Sequence, residues 1–281
     1  MKTQTYSLHK ISRPDHFPFS ATDYSRFKFG DEDVAKQFGE ALAKGFIERC
    51  LNNGSVTGQL VVISSPYAFI PTATFAMKTY FVYALNKWLA HNGLPVVQET
   101  KVHRTTTYRE DYGELSAEDR MKLISKDSFH IDKQFIENKT LVFLDDIKIT
   151  GSHERMIMKM VDEYQIDNPI FLLYFAELIN TSINPKIENY LNYSYVKSVF
   201  DLQEIIEGPF FINTRIVKYI LNSEYSSFKI FIDEQSEGFI NTLFNMALGN
   251  SYHLIEAYAQ NFSYLKSLLH TNSTKLITNG N

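Results

Sequence analysis

Apolar residues recur at steps of four from Val34 through Phe38 and Leu42 to Phe46, one stripe of a helix that starts near Asp33 and stops at Asn52-Asn53-Gly54. Its acidic start, Asp31-Glu32-Asp33, suits the positive end of a helix dipole. Gln59 to Ser64 is a nearly continuous, β-branched apolar run, which predicts a strand covered on both faces. Ser65-Pro66-Tyr67-Ala68-Phe69-Ile70-Pro71-Thr72 then reads as a loop bracketed by prolines. A helix follows from about Ala73 to Ala90, ending at Asn92-Gly93, and Pro95 to Gln98 reads as another strand. Further on, Thr140 to Leu144 predicts a third buried strand, Ser152 to Tyr164 a helix, and Ile170 to Phe175 a fourth strand. Apolar strands alternating with helices predict an α/β fold: an open, mostly parallel sheet with helices on both faces.

Three stretches lie outside that alternation. Residues 1–30, with Pro14 and Pro18, read as an irregular N-terminal segment that could serve as a hood. Residues 101–138 are polar and of mixed charge, a long connection with one short helix near Ala117 to Leu123, and long ordered loops are commonly functional lids. After about Glu177, the stretches Arg215 to Leu221, Phe239 to Leu248 and His253 to Leu269 carry helical spacing with no comparable strand. The expected organisation is an α/β domain over 31–176 with its lid at 101–138, and a mainly helical region over 177–281 whose last residues fray.

Composition narrows the classes. With 281 residues, 44% apolar and 21% charged, the chain can bury a substantial core. A net charge of −4 with interspersed lysines and glutamates disfavours an electrostatically driven binder of duplex DNA, so nucleic acid is not the expected partner. The single cysteine, Cys50, excludes an internal disulfide and a cysteine-based zinc site. Charged residues interrupt every long apolar stretch, and the N-terminus lacks a signal-peptide core, so a cytoplasmic protein with no membrane partner is expected.

The chemistry concentrates in Leu141-Val142-Phe143-Leu144-Asp145-Asp146-Ile147-Lys148-Ile149-Thr150-Gly151-Ser152-His153-Glu154. A buried strand ends in two adjacent carboxylates, at the edge of an α/β sheet where ligands bind. Backbone N–H groups at the start of the next helix, with the hydroxyls of Thr150 and Ser152, suit a phosphate dianion, and Gly151 removes the side chain that would block its approach. Asp145 and Asp146 are then placed to accept hydrogen bonds from vicinal hydroxyls of a ribose whose 5′-phosphate lies in the turn. Lys148 reads as solvent-facing or near the phosphate. His103, His130 and His153 have no mutual spacing that argues for a metal.

This stretch resembles the 5-phosphoribosyl-1-diphosphate (PRPP) motif of the type I phosphoribosyltransferases, a hydrophobic strand, two acidic residues and a Thr-Thr-Gly turn. Asp145-Asp146 and Thr150-Gly151 match it, while Ile149 stands where a threonine is usual and His153 where a small or hydroxyl residue is common. Tyr24-Ser25-Arg26-Phe27-Lys28-Phe29-Gly30-Asp31, followed by Ala35, Phe38-Gly39 and Leu42-Ala43, resembles the lysine-bearing approach to the first helix in competence-protein-F-like phosphoribosyltransferases. Arg104-Thr105, Leu115-Ser116, Arg120 and Phe129 fall in the order of that subgroup's Arg-Thr, Leu, Arg, Phe pattern, so the overlap spans roughly 24 to 175.

The resemblance implies a phosphate site at Ile149, Thr150, Gly151, Ser152 and His153, and a pyrophosphate loop at Ser64, Ser65, Pro66 and Tyr67. That loop here has neither Gly nor Arg, so the hydroxyls of Ser64 and Ser65 stand in for the usual donors. Asp145 and Asp146 would orient the ribose and serve Mg²⁺ through ribose or water, Arg104 would be the catalytic cation, and Lys101 and Arg109 would be lid cations. The implied ligands are PRPP or a nucleoside monophosphate with a nucleobase or amine acceptor, and a homodimer is expected. A catalytically silent PRPP or nucleotide sensor, its helical region contacting a partner, is the alternative. A phosphoacceptor domain ranks last, because its acidic pair usually follows the first strand.

Overall fold

The computed structural model describes residues 3–52, 58–104 and 129–278. Its centre is a five-stranded sheet of β1 (Thr3–Ile11), β2 (Leu60–Ser64), β3 (Gln98–Glu99), β6 (Thr140–Lys148) and β7 (Ile170–Leu178), in the order β1-β7-β6-β2-β3 with every pair parallel. A separate antiparallel pair, β4 (His103–Arg104) and β5 (Phe129–His130), sets His103 opposite His130 in register at the base of the predicted lid. The lid's helix near 117–123 and Arg109 lie outside the described residues.

The N-terminal segment corrects the expectation of an irregular stretch. Residues 3–11 form β1 at the sheet edge, from Thr3 opposite Ile170 to Ile11 opposite Leu178, and α1 (Ala21–Lys28) follows, capped by the Ser20 hydroxyl. The strand escaped prediction because it pairs on one side only and mixes Thr, Gln, Ser, His and Lys among few apolar residues, as an edge strand does. The predicted strand at Pro95 to Gln98 is shorter and later, Gln98–Glu99.

Helix α2 (Glu32–Phe46) starts where the Asp31 carboxylate accepts the Val34 N–H at 3.0 Å, and its apolar stripe packs with α3 (Ala73–His91) over one face of the sheet. On the opposite face α5 (Ser152–Glu163) buries Met156, Ile157, Met160 and Val161 against β6 and β7, below the short α4 (Lys133–Ile136). After β7 the chain is helical, in α6 (Ile187–Asn192), α7 (Leu202–Glu207), α8 (Thr214–Leu221), α9 (Tyr225–Asp233), α10 (Glu237–Gly249) and α11 (Ala259–Thr278). These helices enclose a third apolar cluster that also takes in Phe29 and Ile70.

The strand order locates a crevice. From β2 the chain crosses by α3 to β3 on one side, whereas from β6 it crosses by α5 to β7 on the other. Right-handed crossovers leaving adjacent strands in opposite directions put their helices on opposite faces and open a cleft at the strands' carboxyl ends. Ser64, the last residue of β2, pairs with Leu144, and β6 continues to Lys148 beside β7 alone. The acid pair therefore lies inside β6 rather than at its end, at the point where β2 has turned away.

Candidate functional site

Alternation along β6 sends the two carboxylates to opposite faces. Asp145 points toward the start of α5. Its Oδ1 accepts from the Ser65 hydroxyl at 2.6 Å and from the Asp146 N–H at 2.9 Å, and its Oδ2 lies 2.6 Å from His153 Nδ1. Burial alone would push the Asp145 carboxyl up, but the His153 ring and the Ser65 hydroxyl outweigh it and hold the group well below the usual carboxylate range. Ser64, Ser65, Asp145, His153, Ile157 and Tyr174 line a small cavity.

Asp146 points toward α3. Its Oδ2 accepts from the Tyr24 hydroxyl at 2.6 Å and from the Lys28 ammonium, and its Oδ1 from the Thr74 hydroxyl at 3.2 Å. Tyr24 is fully buried, and burial followed by the Asp146 charge raises its pKa, so it stays a neutral donor. The Lys28 and Asp146 side chains are only 12% and 8% exposed, which makes this a buried ion pair.

The turn between β6 and α5 opens the helix at Gly151, which supplies no side-chain cap to its first N–H groups. Gly151 adopts φ +68°, a left-handed conformation that a side chain would strain, and the Thr150 and Ser152 hydroxyls lie 2.8 Å apart. Arg155 reaches back from α5 to the Thr150 carbonyl at 2.9 Å and the Ser152 hydroxyl at 3.0 Å, setting a guanidinium beside the turn. Lys148 is held by Glu154 at 2.9 Å and Glu177 at 3.3 Å, and Glu154 also accepts from the Tyr174 hydroxyl at 2.8 Å.

The structure thus brings Ser65, Asp145, Thr150, Gly151, Ser152 and His153 to one crevice and turns Asp146 into the α2–α3 side. Ser64 belongs to β2 rather than to the loop. Lys101, expected on a lid, is docked on that loop: its ammonium donates to the Ala68 carbonyl at 2.6 Å and sits 3.8 Å from the centre of the Tyr67 ring. Burial lowers its pKa. Arg104 lies in β4.

Sequence reasoning did not assign Tyr24, Lys28 or Thr74 to Asp146. Thr74 carries a signal, a hydroxyl in the first turn of the helix after the proline-bracketed loop, whereas Tyr24 is 122 residues from its partner. The described residues contain no group of three or more His, Cys, Asp or Glu able to hold a metal, and no helix among them is long and apolar enough to cross a membrane.

Comparison with known proteins places these features. The sequence model of one family, PRTase ComF-like, matches residues 2–265, nearly the whole chain and both the sheet and the helical region. The chain belongs to the PRTase ComF-like family. Among solved structures it is similar to the hypoxanthine phosphoribosyltransferase of Staphylococcus aureus, with 11% identity, 51% of this chain and 74% of that one covered, and a TM-score of 0.32. It is also similar to the Trypanosoma cruzi hypoxanthine phosphoribosyltransferase in complex with IMP, with 12% identity, 53% and 72% covered, and a TM-score of 0.34. The L. donovani hypoxanthine-guanine phosphoribosyl transferase gives 14% identity, 52% and 73% covered, and a TM-score of 0.31. None of the curated proteins matches the chain. The five-stranded parallel sheet with helices on both faces is a phosphoribosyltransferase-type fold, as membership of this family leads one to expect.

Proposed function

We infer that this protein binds PRPP, or another ligand containing ribose 5-phosphate, in the crevice between β2 and β6, and transfers the phosphoribosyl group to a nitrogenous acceptor. The observation that carries this reading is the convergence of the Gly151 turn, Asp145 and Ser65 where the strand order reverses. The N–H groups and hydroxyls of 150–153 would hold the 5′-phosphate, with Arg155 adding charge beside them. Asp145 would accept from a ribose hydroxyl, with Asp146 fixing the strand from behind.

In the transfer, a nitrogen lone pair forms a bond to the anomeric carbon. The bond from that carbon to the pyrophosphate oxygen breaks with its electron pair, and the acceptor nitrogen gives up its proton to the departing pyrophosphate. Positive charge grows on the sugar as pyrophosphate leaves, so the protein must align the reactants and exclude water. Lys101, docked on the loop that would meet the pyrophosphate, would add a positive charge there, and Arg104 would be the further cation.

Mg²⁺ is a hard cation that takes oxygen ligands, and bound with the ligand's phosphates it would neutralise the leaving group. The donor set fits this: Asp145 and Asp146 offer carboxylate oxygens but no self-sufficient cage, so such an ion would be held mostly by ligand oxygens. The activity belongs with soluble metabolites of the cytoplasm, and the acceptor class is a nucleobase or small amine.

Calorimetric titration of PRPP with Mg²⁺ tests the reading. Binding by the wild type that is lost in Asp145→Asn supports it, and absent or equal binding refutes it. One observation favours a second reading, a catalytically silent sensor: both carboxylates are already engaged by protein side chains. Pyrophosphate release with a panel of bases and ammonia rejects the sensor wherever turnover appears.

A further inference from the structure

The helical region reaches back to the crevice at three points. Asn213, fully buried, caps α8 by accepting the N–H groups of Arg215 and Ile216 at 2.9 and 3.2 Å, and its amide donates to the Lys28 carbonyl at 3.2 Å. The neighbouring Thr214 donates its hydroxyl to the carbonyls of Ile70 at 2.8 Å and Pro71 at 3.0 Å, and its N–H to Pro71 at 2.8 Å. Asn250, just past the end of α10, accepts the N–H groups of Phe69 and Ile70 at 3.0 and 3.1 Å. Ile70 itself is buried in the helical core, and Phe69 lies so close to Gly249 that a Cβ there would stand 2.1 Å from its ring.

The segments gripped in this way are the ones that flank the acid pair. Lys28 holds Asp146 from one side, and the loop that begins with Ser65 holds Asp145 from the other. The loop has no glycine and no cation of its own, and it is pinned at Ser65 by Asp145, at Ala68 by Lys101 and at its far end, residues 69–71, by the helical region. A helical module that served only to dock a partner would need none of these contacts.

We propose that Thr214 and Asn250, with Asn213 beside them, are positioning residues that set the 65–71 loop to receive the diphosphate half of a phosphoribosyl ligand. The proposal rests on the ribose-phosphate reading of the crevice. It adds that the helical region selects diphosphate-bearing ligands over ribose 5-phosphate, because the ribose-phosphate half would be held by Asp145 and the Gly151 turn, which meet the loop at Ser65, the end opposite the one these residues grip.

Calorimetric titrations of PRPP with Mg²⁺ and of ribose 5-phosphate, run on each folded variant, separate the two halves. Thr214→Val removes the hydroxyl at nearly constant shape, and Gly249→Ala displaces Phe69 from the other side. Both are expected to weaken PRPP about tenfold, the equivalent of one misplaced hydrogen-bonded contact, and to leave ribose 5-phosphate within about twofold. Thr214→Ser and Asn250→Asp, which keep the donor and the acceptor, are expected to retain wild-type selectivity. Equal weakening of the two ligands, or no change in either, overturns the positioning role while leaving the ribose-phosphate site standing. A wild-type protein that binds neither ligand overturns the functional reading and this proposal with it.

Discussion

Lys28 and Asp146 offer a direct test of how the site is held together. Their side chains are 12% and 8% exposed, so neither charge is well solvated if the other is removed. Lys28→Met leaves a buried carboxylate with only the Tyr24 and Thr74 hydroxyls as donors, and breaking a buried pair from one side costs about 3–5 kcal/mol. Asp146→Asn preserves shape but strands the ammonium, at a cost of about 2–5 kcal/mol. The double variant is neutral at both positions, so it is expected to lie well short of the sum, with a coupling of about 2–3 kcal/mol. Urea unfolding followed by circular dichroism, compared at constant denaturant slope, measures all four corners of the cycle. Additivity to within about 0.5 kcal/mol would show that the two charges do not support each other and would refute the reasoning.

Tyr24→Phe removes one hydroxyl donor from Asp146 while the ring stays packed, and should cost about 1.5–3 kcal/mol in the same assay; an unchanged midpoint contradicts a charge-assisted bond there. Gly151→Ala should lower stability by about 1–2 kcal/mol through backbone strain, since a Cβ would meet nothing closer than 3.4 Å. Gly30→Ala should cost more, because at φ +103° its Cβ would also lie 2.5 Å from the Phe211 carbonyl; equal melting shifts would show that contact does not matter. Because Asp145 titrates below the usual range in the folded state, its stabilisation is present above about pH 4 and is lost as the pH falls through its lower folded value. Acid unfolding below about pH 4 should therefore be shallower in Asp145→Asn than in the wild type, and parallel curves would contradict the depressed value.

The legible parts of the fold were those whose burial is two-sided. β2, β6 and β7 are continuous apolar runs with helices on both faces, and the α2 stripe has the spacing of a one-sided helix. β1 was hidden because its partner β7 supplies what its own composition does not. The last four residues of β6, Asp145 to Lys148, look like a loop in isolation and are strand because β7 runs beside them as far as Lys148 opposite Glu177. The acid pair and the Gly151 turn were visible as a local pattern. Their partners were not, because Tyr24 and Lys28 arrive from a segment more than a hundred residues away, and hydrogen bonds at that range leave no periodic trace.

Two adjacent acids on a strand cannot play the same part, and the burial of their partners decides which one a sugar can reach. At Asp146 the two partners on Oδ2, Lys28 and Tyr24, are buried, so displacing either would strand a buried ammonium or a fully buried phenol. At Asp145 the exchangeable partner is His153, whose side chain is 28% exposed and sits at a helix start with solvent beside it. A carboxylate offers about four lone-pair sites, and Asp145 already meets Ser65, the Asp146 N–H, His153 and, at 3.4 Å, Thr74, so a hydroxyl would enter there by displacing the more exposed imidazole. On the proposed ribose-phosphate reading the pentose contact would fall first to Asp145, while Asp146 ties β6 to α1 and α3 through Tyr24, Lys28 and Thr74.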